Sequence, residues 1–114
     1  MPDSNAPSKE QVEWAMSGAL RRIVSGAARP RAGLRDLVAI YHSAPTADDA
    51  QFVGEEYEIA QLIGYFYDYD DLEEHPTEVS FKGQYGARGM AALDTEVVRL
   101  AKAWLDALSK REDR

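Results

Sequence analysis

Residues 90–108, MAALDTEVVRLAKAWLDAL, decide the fold class. Met90, Leu93, Val97, Leu100, Ala101, Trp104 and Leu108 recur at spacings of three and four, which puts them on one side of an α-helix, while Arg99, Lys102 and Asp106 fall on the other. A helix with one apolar side must bury it against other elements. The same period occurs near the start of the chain, where Val12, Ala15, Met16, Ala19, Leu20, Ile23 and Ala27 predict a first helix. Ser8 and Gln11 stand at capping-box spacing before it, and the run from Gly26 to Pro30 stops it. Leu34, Leu37, Val38 and Tyr41 predict a second, shorter helix closed by Pro45. Thr46 and Asp49 form another capping pair, with Asp48 in the first turn where the helix dipole favours anions. In the third helix that follows, Phe52, Ile59, Ile63, Phe66 and Tyr67 share an arc that runs to about Asp68. Pro76 ends anything helical, and TEVSFKGQY alternates like a single strand without a partner, so residues 76–86 are expected to form an extended loop. The expected fold is all-α, a small bundle of about four helices. It occupies residues 8–110 as a single domain between a flexible leader (1–7) and a frayed tail (111–114).

Composition narrows the function classes. The chain has 114 residues, 45% hydrophobic and 29% charged, which suits one core. It has no cysteine, which excludes disulfide frameworks, thiolate metal sites and cysteine nucleophiles. No apolar run approaches the roughly 20 residues of a membrane helix, and MPDSNAPSKE lacks the basic start and apolar centre of a signal peptide. A soluble cytoplasmic protein without a membrane partner is expected. A net charge of -7 argues against direct nucleic-acid binding. The charge is also segregated: residues 44–81 hold eleven acids and no Lys or Arg, whereas the segments on either side are each +2.

Within that acidic third, Tyr65, Tyr67 and Tyr69 interleave with Asp68, Asp70 and Asp71, and Glu73 and Glu74 follow. Phenol faces stack on guanidinium groups and carboxylates accept bidentate bonds from them, so this segment suits an arginine-rich segment or basic protein surface. Trp14 lies opposite the apolar arc of the first helix, beside Ser17, Gly18, Arg21 and Ser25, and predicts a contact either with the loop at Tyr85 or with a second protein. The leading expectation is an acidic helical module that docks a basic surface by charge mimicry and needs no cofactor. In size and charge it is comparable to small inhibitors and immunity-type proteins. A homodimer built through Trp14 and the last helix is a further reading.

The alternative is enzymatic. Glu55 with Glu58, and Asp68 with Asp71, are pairs three residues apart that could hold Mg²⁺ through oxygen ligands. This pattern resembles the ExxE and ExxD carboxylates of the all-α nucleotide pyrophosphohydrolases, over less than a fifth of the chain. In that family the two motifs lie on separate packed helices, whereas here they are close together in sequence and Asp68 stands in place of a glutamate. The resemblance implies a Mg²⁺-dependent nucleotide or phosphoester hydrolase with Glu55, Glu58, Asp68 and Asp71 as metal ligands. In that reading Lys82 and Arg88 would meet phosphate, within the run Gly83, Gly86, Gly89 that leads into the last helix. Glu56 falls inside the apolar arc of the third helix, where the favoured expectation is an ion pair with Arg21, Arg22 or Arg35 and the competing one a general base in a pocket. His42 and His75 stand at helix C-termini, where cations are favoured, and neither has the spacing of a di-iron bundle.

Overall fold

The computed structural model describes residues 9–42 and 59–112. Among them are four helices, α1 (Lys9–Ser25), α2 (Pro30–His42), α3 (Ile59–Glu74) and α4 (Gly86–Glu112). The hairpin β1 (Ser80–Phe81) and β2 (Gln84–Tyr85) joins α3 to α4. The fold is a small all-α bundle. The capping residues Ser8, Thr46 and Asp49, and Glu55, Glu56 and Glu58, lie outside the described residues. No described helix is long and apolar enough to cross a membrane.

Local chemistry sets the boundaries. At the end of α1, Gly26 adopts φ 84°, and its amide and that of Ala28 donate to Ile23 O (3.2 Å) and Arg22 O (3.0 Å). Two carbonyls that the helix leaves without partners are thereby bonded, and Ala27 lies exposed beyond the helix. Pro30 opens α2 at a position where its missing N–H is not needed. α1 packs on α2 and α4, α3 packs on α2 and α4, and α2 also meets α4, so α1 and α3 hold opposite corners.

Met16, Leu20, Leu34, Leu37, Leu62, Leu72, Leu93, Val97 and Trp104 form the closed centre, each 2% exposed or less. Each such side chain contributes about 1.5–3 kcal/mol by leaving water. The predicted faces of α1, α2 and α4 are the buried ones. α3 departs from expectation in two ways. It continues through Asp70, Asp71, Glu73 and Glu74 instead of ending near Asp68, and its inner side is turned toward Ile59, Leu62, Tyr69 and Leu72. Ile63 and Phe66 flank that side half-buried, while Tyr67 is 49% exposed. Burial of Tyr69 and Leu72 holds the last turns helical despite their acids, and Pro76 then closes the segment.

The expected extended loop is a hairpin. Its partner strand lies within the same nine residues, paired Ser80 with Tyr85 and Phe81 with Gln84. Lys82 (φ 52°) and Gly83 (φ 79°) form the two-residue turn, both in the left-handed region that matches the twist of the strands. So short a ribbon is not stable alone. It is held by Phe81, which meets the Tyr65 ring edge-on at 5.6 Å, and by Lys82 Nζ, 3.0 Å from Glu96 Oε2 on α4. Gly89 completes the fit, because a Cβ there would stand 2.6 Å from Gln84 O and 3.0 Å from Leu72 Cδ2. Only glycine lets the hairpin backbone approach α4 this closely.

Candidate partner-binding surface

α3 divides the acidic segment between two tasks. On one flank Arg31, from the first turn of α2, donates to Asp70 Oδ1 at 2.6 Å and to Glu73 Oε2. Its guanidinium also lies 5.8 Å from the centre of the Tyr69 ring. Tyr69 is 1% exposed and donates its hydroxyl to Asp94 Oδ1 on α4 at 2.5 Å. Burial pushes the Tyr69 phenol far above its ordinary range, and the bond to Asp94 adds to the shift. This network ties α2, α3 and α4 together.

Tyr69, expected on the docking surface, is therefore part of the core. Tyr65 is half-buried, accepting from Gln61 Nε2 at 2.8 Å and packing on Phe81. Asp70 and Glu73 are partly neutralised within the molecule. A single helical sequence cannot present all its aromatics to one side, and the hydroxyl of Tyr69 can be buried because Asp94 accepts its proton.

The opposite flank carries Tyr67, Asp68, Asp71 and Glu74, which the 3.6-residue period places along the outward side. Tyr67, Asp71 and Glu74 are exposed and Asp68 is half-exposed. None of the three acids forms an ion pair among the described residues. Partial burial raises the Asp68 carboxyl above its ordinary value, and the charge of Asp71 one turn on raises it further. Upstream on the same side, Gly64 leaves open space, with no atom within 4 Å of where a Cβ would be. The outer side of α3 is thus an exposed phenol followed by three carboxylates, beside a step in the helix surface.

Of the residues of the enzymatic alternative, the described ones have other partners or stand apart. Glu55 and Glu58 lie outside the described residues, and of the four expected metal ligands only Asp68 and Asp71 are described, one turn apart on α3. No group of three or more His, Asp or Glu among the described residues is placed to hold a metal ion. Lys82, expected to meet phosphate, bonds Glu96, as does Arg99 through Nε at 3.0 Å. These two cations hold the buried Glu96 carboxyl down to about 2, with the bond from Arg99 the larger cause. Gly83 serves the hairpin turn, Gly86 (φ 57°) opens α4 and Gly89 makes the close contact, so each glycine of the run has a part in the fold. Arg88 is exposed. His75 extends α3 by donating its amide to Asp71 O, and His42 ends α2 with its ring edge on Tyr41.

Trp14 is 77% exposed and Tyr85 is 52% exposed, so the two do not cover each other. The signals that sequence reading missed are long-range: Arg31 meets residues 39 and 42 positions away, and Tyr69 meets one 25 positions away. No family model, curated protein or solved structure matches this chain.

Proposed function

We propose that the protein is an acidic helical binding module whose outer α3 side, Tyr67, Asp68, Asp71 and Glu74, docks a basic surface or arginine-rich segment of another protein. One observation carries this reading: Arg31 occupies Asp70 and Glu73, while the acids of the opposite flank have no cation among the described residues. The segment that holds this flank, residues 44–81, has eleven acids and no Lys or Arg of its own. A guanidinium arriving there would stack on Tyr67 and relieve the repulsion between Asp68 and Asp71. Charge mimicry of a polyanion on the partner's surface, in the manner of an inhibitor, is the use this arrangement serves best.

The test is calorimetric titration of the full chain with an arginine-rich helical peptide, beside the variant D68K/D71K. Binding is expected to weaken steeply with added salt and to be lost in the variant, with the melting temperature nearly unchanged. Equal binding by wild type and variant, or no binding at low ionic strength, would overturn the proposal.

A further inference from the structure

A second surface is left open on α1. Trp14 is the most exposed large apolar side chain of the described residues. One turn later Gly18 leaves space in which a Cβ would meet nothing within 4 Å. One turn beyond that, Arg21 is exposed and forms no ion pair among the described residues, whereas its neighbour Arg22 reaches Asp36 at 3.8 Å. An indole, a step and a guanidinium therefore run along the outside of one helix.

The chemistry that complements this line is an aromatic ring followed by carboxylates. The chain itself carries that complement in Tyr67, Asp68, Asp71 and Glu74 on α3. Within one molecule the two sides do not meet, because α1 and α3 hold opposite corners of the bundle, each packed on α2 and α4, and Trp14 and Tyr67 both stand exposed.

We infer that the outer side of α1, through Trp14 and Arg21, docks on the outer side of α3 in a second copy of the chain. The occupant follows from charge: the outer side of α1 presents the Arg21 guanidinium without an ion pair among the described residues, and the outer side of α3 presents Asp68, Asp71 and Glu74 likewise. The contact rests on the same α3 surface as the proposed function, with the chain itself as the basic partner. It uses a different patch on each copy, carried on helices at opposite corners of the bundle, so it does not close as a two-fold dimer. Copies add head to tail instead. Self-association then covers the acidic surface at high concentration, and an outside partner must displace it.

Sedimentation velocity of the full chain over rising concentration tests this. At low ionic strength the apparent mass is expected to pass twice that of the monomer without a plateau, and to return to monomer in high salt. The variants W14A/R21A and D68N/D71N are each expected to stay monomeric, since each lacks one side of the contact. Their equimolar mixture is expected to stop at a dimer, because one intact α1 side and one intact α3 side remain. Trp14 emission should shift to the blue in wild type as association proceeds, while Trp104, 2% exposed, contributes a constant background. A wild type that stays monomeric at low salt, a mixture that does not pair, or either variant still growing would overturn the inference. W14A/R21A keeps the α3 surface, so titrating it with the arginine-rich peptide tests the proposed function separately. Peptide binding without self-assembly removes the inference alone, and self-assembly without peptide binding removes the external partner alone.

Discussion

Glu96 and Asp68 are both helix carboxylates of one small bundle, yet their surroundings drive them in opposite directions. Glu96 is buried between Lys82 and Arg99 and is held down to about 2. Asp68 is half-exposed, faces another acid and is pushed up. The first charge belongs to the fold, fastening the hairpin to α4. The second is one that folding itself does not favour, and an arriving cation would relieve it. The same division runs through α3, whose inner residues hold the bundle together and whose outer acids Asp68, Asp71 and Glu74 form no ion pair among the described residues.

The strongest way to break this contrast is to truncate one tyrosine from each side of α3. Tyr69→Ala removes a ring that is 1% exposed and leaves Asp94 without its donor, so a loss of about 3–5 kcal/mol is expected in urea unfolding. Tyr67→Ala should cost no more than about 0.5–1.5 kcal/mol, the worth of its edge-on contact with Phe66. Comparable losses from both would mean that the outer side is part of the core.

A smaller contrast lies in two helical glycines. Gly89→Ala forces a Cβ against the Gln84 carbonyl, a backbone atom that cannot easily retreat, and should cost about 1–3 kcal/mol. Gly64→Ala meets open space and should stabilise α3 by up to about 1 kcal/mol. Thermal unfolding of the two variants reads the difference, and a destabilised Gly64→Ala would show that the step is filled from within.

The smallest effect concerns pH. Glu96 titrates lower folded than unfolded, so its contribution is complete above about 4.5 and disappears as pH falls toward about 2. Because Lys82 and Arg99 are mostly exposed, the contribution is about 1–2 kcal/mol, and Glu96→Gln should flatten the acid limb of a stability profile. Asp68 has the reverse sign. Its folded value lies above the ordinary value of an aspartate, so its ionisation opposes folding at neutral pH and the penalty vanishes as pH falls through that range. Asp68→Asn should therefore be more stable at neutral pH by about 0.5 kcal/mol or less, an advantage lost in acid. A profile in which both substitutions act alike would remove the distinction between the two carboxylates.

Much of this architecture was legible from local pattern. The 3.6-residue period of α1, α2 and α4 marks the sides they bury, since apolar spacing and burial report the same quantity when a helix has one inner side. α3 resisted because Tyr65, Phe66, Tyr67 and Tyr69 surround the helix, and an aromatic with a hydroxyl can face either way until a partner is supplied. The hairpin resisted because Lys-Gly is not the usual pair for a turn needing two left-handed residues, and because its short strands gain stability only from α3 and α4. Of the expected docking residues, Trp14, Tyr67, Asp68, Asp71 and Glu74 stand outward on their helices, while Tyr69 is buried and Asp70 and Glu73 share Arg31.

By itself, then, the sequence determined that this is a bundle of amphipathic helices with its acids gathered in one third, because period and charge count are properties of neighbouring residues. Which of those acids are neutralised and which face outward was decided only by tertiary structure. Arg31 reaches its two carboxylates, Tyr69 its aspartate and Lys82 its glutamate across separations that no local window spans. Each pairing exists because packing the apolar sides fixed where the helices lie, and the charges then found the partners that this geometry allowed.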